Sequence, residues 1–207
     1  MRRPSSPRKV KKDGYHHGNL RQALVEAAVA VMAEKDVASI SLREVARKAG
    51  VTPAAPYHHF ADKRALLAAV AEAGYQQMTV ALERAAGRSA EDSPDALARL
   101  ATAYVKFALE HPARYQVMLS PELSDAAEFP AMHAAADGTF QMLLARLKKV
   151  APPKTGDEAL RIAALTLWSL VHGMTSLWSQ GALKNKVPNL NAFVQHAARK
   201  TLAALIS

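Results

Sequence analysis

Residues 41–64 read SLREVARKAGVTPAAPYHHFADKR, and their interpretation decides the fold. Ser41 stands three residues before Glu44, the spacing of a capping box, so a helix begins here. Leu42, Val45, Ala46 and Ala49 recur at i, i+3, i+4 and i+7 and share one buried face. Arg43, Arg47 and Lys48 fall on other faces. Gly50 supplies the backbone freedom needed past a helix end. Thr52 is a good cap for a second helix, with Pro53 at its first position, where no amide hydrogen is required. Two short helices joined by a tight glycine-containing turn make a helix-turn-helix. Pro56 removes one backbone hydrogen bond from the second helix, expected over 53–59, and tightens or tilts its first turn. Asp62 then caps a third helix, followed at once by Lys63 and Arg64.

The same periodicity extends outward. Leu20, Leu24, Ala27, Ala28 and Val31 predict a helix over about 19–35, and Val37 and Ile40 help close a small three-helix core. Beyond Asp62 a helix continues to about residue 86, and the polar stretch 87–93 marks a boundary. Ser93 and Pro94 open another helix, ending near His111. Further helices are expected over 112–119, 131–150 and 189–205, with a loop at 151–157. No alternating run of β-branched residues is long enough for a strand, so the fold class is all-α. Residues 162–183 hold no Asp, Glu, Lys or Arg, but seven polar side chains interrupt them, which fits a buried bundle helix better than a membrane span.

Charge is unevenly spread. Residues 1–64 hold thirteen Lys/Arg against six Asp/Glu, while residues 65–207 hold fourteen against twelve. A basic region on a helix-turn-helix is the footprint expected for phosphate binding. The first fourteen residues are basic, contain Pro and Ser, and have no apolar segment behind them, so they are expected to be a flexible arm rather than a signal peptide. Such an arm can touch phosphates or enter the minor groove. With no cysteine, thiolate metal sites and disulfides are excluded. His16 and His17 are adjacent, and no spacing completes a metal site. No nucleophile elbow, phosphate loop or acid–base pair suggests an enzyme.

The pattern Ser41, Gly50, Val51, Thr52, Tyr57, His58, His59, Phe60, Lys63 and Leu66 resembles the DNA-binding half of the TetR/AcrR family of bacterial regulators. The resemblance spans about residues 15–78. It implies a helix-turn-helix domain at 15–62, a linking helix at 63–86 and a regulatory and dimerisation domain at 87–207. It also implies a cytoplasmic homodimer on a palindromic double-stranded DNA operator, no cofactor, and a small-molecule effector. The expected DNA-contacting residues are Ser41, Arg43, Thr52, Pro53, Ala54, Ala55, Tyr57, His58 and Lys63. Long base-reading side chains are scarce among them, so DNA shape is expected to carry much of the specificity.

Trp168, His172 and Gly173 form W-x-x-x-H-G, similar to the WHG type of C-terminal domain in some TetR-like regulators. One reading places Trp168 and His172 in an effector pocket with Tyr104, Phe107, Met118 and Met142. The other, preferred from sequence, places Trp168 in an interface core and makes His172 a buried, hydrogen-bonded histidine. A ligand-released repressor is the expected function. A helical adaptor that has lost sequence-specific DNA binding is the alternative.

Overall fold

The computed structural model describes residues 20–87 and 93–205. The basic arm, the His16–His17 pair and residues 88–92 of the expected boundary lie outside them. Eight α-helices and no strands occur among the described residues: α1 (Leu20–Met32), α2 (Leu42–Ala49), α3 (Lys63–Ala86), α4 (Pro94–Glu110), α5 (Pro112–Met118), α6 (Pro130–Val150), α7 (Asp157–Ser179) and α8 (Leu190–Leu205).

The expected local signals are in place. Ser41 accepts a hydrogen bond from the Glu44 amide, and Glu44 reaches back to the Ser41 amide, closing the capping box. Gly50 ends α2 with φ of 70°, the left-handed conformation that favours glycine. Asp62 and Ser93 cap α3 and α4 by accepting from Ala65 and Ala96. The segment expected as a helix over 53–59 is different. Residues 53–54 form a turn, and only Ala55–His58 coil, as a 3-10 helix. Its cap position is Ala54, without a side-chain cap; Thr52 contributes its carbonyl, which accepts from the Ala55 amide. Pro56, buried and without an N–H, cannot extend an α-helical ladder. Its own carbonyl accepts from both His59 and Phe60.

Helices α1 to α3 enclose a small core of Leu24, Ala28, Val31, Ile40, Val45 and Phe60, all buried. Six consecutive residues of α3, Leu66 to Ala71, are buried. A helix covered on all sides reads this way, because the head packs on one side and α5 on another. In the body, α4 lies centrally, with α8 packing on it through Val194, Ala198 and Leu202. Helix α7 turns Leu160, Ala164, Leu167 and Val171 inward, and no helix among the described residues is long and apolar enough to cross a membrane.

Candidate functional site

The head presents one exposed surface built from α2 and the turn that follows. Ser41, Arg43, Arg47, Thr52, Pro53, Ala54, Tyr57 and His58 are exposed there, and Ala55 is half-buried. Tyr57 is 53% exposed, unusual for a large aromatic. The cations of the head divide into two groups. Lys48 pairs with Glu34 at 2.6 Å, Lys35 pairs with Glu44, and Arg21 pairs with Glu72 at 3.5 Å. The hydrogen bonds from Lys48 and Lys35 hold the Glu34 and Glu44 carboxyls below their usual range. Arg43 and Arg47 form no ion pair among the described residues. Lys63 donates to the Ala38 carbonyl at 2.7 Å, tying the start of α3 to the turn before α2. An ammonium has three donors, so this bond leaves others for a phosphate.

Two arginines join head to body. Arg64 of α3 donates to the Glu122 carbonyl at 2.8 Å, pairs with Glu128 at 2.7 Å and lies 5.1 Å over the Phe129 ring. Arg114 of α5 is buried, at 4% exposed. It donates to Glu26 of α1 at 2.9 Å and to Gln77 of α3, while its Nε has no partner among the described residues. A buried charge is tolerated only when paired and hydrogen-bonded, so this residue fixes where α5 sits against the head.

The body contains an apolar cavity of about 270 Å³ between α3, α4, α5, α6 and α7. Tyr104, Met118, Met142 and Trp168 line it, as one sequence reading expects. Phe107 and His172 do not. Phe107 is buried with its ring 4.8 Å from that of His111. His172 lines a second recess of about 600 Å³, between residues 36–38 of the head and α5 and α7, which shares Tyr115 and Leu119 with the cavity. Trp168 is 42% exposed at the cavity, 6.3 Å from Phe140 ring to ring. His172 is half-buried and hydrogen-bonded, its Nδ1 2.8 Å from the Tyr115 hydroxyl. That hydroxyl lies 3.1 Å from the Tyr104 hydroxyl, so three side chains form one chain between cavity and recess. Burial pushes the Tyr75 phenol up to about 12 and pushes those of Tyr104 and Tyr115 upward too.

Sequence reasoning missed Tyr75, Tyr115 and Phe140 of the cavity, and Arg114. Tyr75 and Phe140 sit on long helices where aromatic residues read as ordinary core. Arg114 and Tyr115 lie on a helix of only seven residues, too short to show a periodic face.

Comparison with known proteins agrees with this geometry. Residues 24–70 match the model of bacterial regulatory proteins of the tetR family, and residues 97–201 match that of the tetracyclin repressor-like C-terminal domain. A solved protein of unknown function from Rhodococcus sp. RHA1 is 30% identical, with a TM-score of 0.77 over 95% of this chain and 100% of that one. The transcriptional regulator FadR from Bacillus subtilis, solved in complex with stearoyl-CoA, is 18% identical, with a TM-score of 0.68 over 90% and 97%. The TetR family regulator PfmR from Thermus thermophilus is 21% identical, with a TM-score of 0.61 over 88% and 96%. The chain belongs to the TetR family of transcriptional regulators, with a helix-turn-helix DNA-binding head and a helical C-terminal domain. This is a family of regulators, not enzymes.

Proposed function

We propose that the protein is a homodimeric repressor that occupies a palindromic operator and leaves it when a small molecule fills the cavity. The course of α3 carries this reading. Its first residue is Lys63, which this reading sets against a DNA phosphate, and Tyr75, Met78 and Leu82 further along wall the cavity. Lys63 and Tyr75 are twelve residues apart, about 18 Å of helix at 1.5 Å per residue. One rigid element therefore touches both sites. Helix α5 supports the same reading, since Met118 lines the cavity and Arg114 grips the head. A ligand shifts the balance between two placements of the heads only through unequal affinity for them.

In this reading Arg43, Tyr57, His58 and Lys63 serve the backbone, with Ser41 beside them at the start of α2. Thr52, Pro53, Ala54 and Ala55 lie close to base edges. The short 3-10 turn and its small side chains favour shape readout. The arm contributes as well: residues 1–14 hold six Lys/Arg and one Asp, most of the positive excess of residues 1–64. Dimerisation through α7 and α8 is supported by Ile162, Leu177 and Phe193, large apolar side chains left exposed on those helices. A two-fold dimer would set its heads about 34–36 Å apart, on successive major grooves.

The test is binding to labelled duplexes from the DNA flanking its own gene, at physiological salt. Preference for one duplex over random competitor supports the reading; equal affinity for every duplex overturns it. Lys63→Ala should weaken binding to all duplexes alike and reduce the salt slope by about one.

A further inference from the structure

The cavity's chemistry narrows what it accepts. Its volume of about 270 Å³ falls just below the range of about 300–1,000 Å³ usual for ligand sites, so the occupant is compact. Most of the wall is apolar, from residues such as Met78, Leu97, Leu100, Met142 and Leu143. Among the described residues no Lys, Arg or His lines the cavity, and the one formal charge there is Asp137, which is exposed. A carboxylate or phosphate buried here would lose its hydration, gain no counter-charge and meet Asp137. A buried ammonium would have only that solvated carboxylate nearby.

Besides Asp137, the polar groups are three phenols, the Trp168 indole N–H, which lies against the Tyr104 hydroxyl, and the Thr139 hydroxyl. That hydroxyl is already engaged with Thr79 at 2.7 Å and with the Ala135 carbonyl at 3.1 Å. Tyr75 already donates to the Met118 carbonyl at 2.7 Å. Tyr104 and Tyr115 remain, and the chain from Tyr104 through Tyr115 to His172 can run in either sense. If Tyr115 donates to His172 Nδ1, Tyr104 donates to Tyr115 and keeps a lone pair for a ligand hydroxyl. If Nδ1 carries the proton, the chain reverses and Tyr104 donates to a ligand carbonyl. Burial holds both phenols protonated, as either arrangement requires.

We infer that the cavity takes a compact, apolar molecule whose uncharged oxygen end-group, a hydroxyl or carbonyl, meets Tyr104, and that it turns anions away. The inference rests on reading the cavity as the effector site. It sets this protein apart from the Bacillus subtilis FadR, solved with the highly anionic stearoyl-CoA.

The experiment is calorimetric titration of the full chain at neutral pH with octanol, octanoate and octylammonium, which share one hydrocarbon chain. Trp168 fluorescence, separated from that of Trp178 by a Trp178→Phe background, gives a second readout. Octanol should bind about tenfold or more tighter than octanoate. Tyr104→Phe should weaken octanol severalfold and reduce the discrimination. Octanoate or octylammonium binding as tightly as octanol would overturn the ligand class and leave the cavity an effector site. An unchanged octanol affinity in Tyr104→Phe would overturn the role given to that phenol. If none of the three changes heat or fluorescence, the cavity is no ligand site and the effector reading falls with it.

Discussion

In the head, the groups that decide structure stand close in sequence: Ser41 and Glu44 cap α2 from three residues apart, and Gly50 ends it at once. In the body they are distant. Arg199 of α8 pairs with Asp95 of α4 at 2.6 Å across 104 residues, and the hydroxyls of Thr79 and Thr139 meet at 2.7 Å across 60. The head is a small unit closed by local devices. The body is assembled from remote segments around a space left open. The difference teaches that DNA-facing geometry can stay constant while the cavity varies, provided the seam between them holds.

That seam is the place to break the contrast hardest. Arg114→Ala removes the buried cation that joins α5 to α1 and α3, and should cost about 2–4 kcal/mol in urea unfolding, since Glu26 can still reach water. Arg114→Met, which keeps volume, should recover much of that loss while leaving head and body less tightly joined. A loss below about 1 kcal/mol for the alanine variant would sink the seam as a structural anchor. Gly50→Ala comes next. A Cβ there meets nothing within 4 Å, so the expected cost of about 1–2 kcal/mol is backbone strain alone. Ser41→Ala should cost about 1 kcal/mol through loss of the cap. Both head variants should weaken DNA binding and leave ligand affinity in the body unchanged; a parallel loss of ligand affinity would erase the distinction between the two regions.

The smallest effect appears only in alkali. Well below pH 10 the Tyr75 phenol is protonated whether the chain is folded or not, so it adds no pH dependence there. Its folded value is about 12 against an ordinary 10.0. Between those limits the unfolded chain releases the proton and the folded chain keeps it, so stability falls as pH rises. Tyr75→Phe should flatten the decline, measured by thermal melts from pH 9 to 11.

The head is readable from sequence because its signals act over one helical turn: a cap, a glycine, an apolar face. Even there the outcome at Pro53 and Pro56 is only half visible. Two prolines in four residues announce distortion, but not that only Ala55–His58 coil, as a 3-10 turn with Pro56 buried. The helices of the body are legible from their apolar spacing and flanking prolines. The cavity is not, because five helices supply its walls and no local pattern encodes which faces converge. Hence Phe107, one helical turn from Tyr104, reads as its companion, although its ring packs against His111 instead. His172 carries a similar lesson: it reaches the cavity only through the hydroxyl of Tyr115.

Gly74 sits midway along α3, and a Cβ placed on it would come within 2.6 Å of Met118 Sδ and 3.1 Å of Arg114 Cγ. Met118 forms part of the cavity wall, so any side chain at position 74 would force it to shift and change the shape of that wall. The volume of that cavity thus depends on a residue that is not among its lining. Exchanging that hydrogen for a methyl would reshape the chamber while leaving its lining chemically the same.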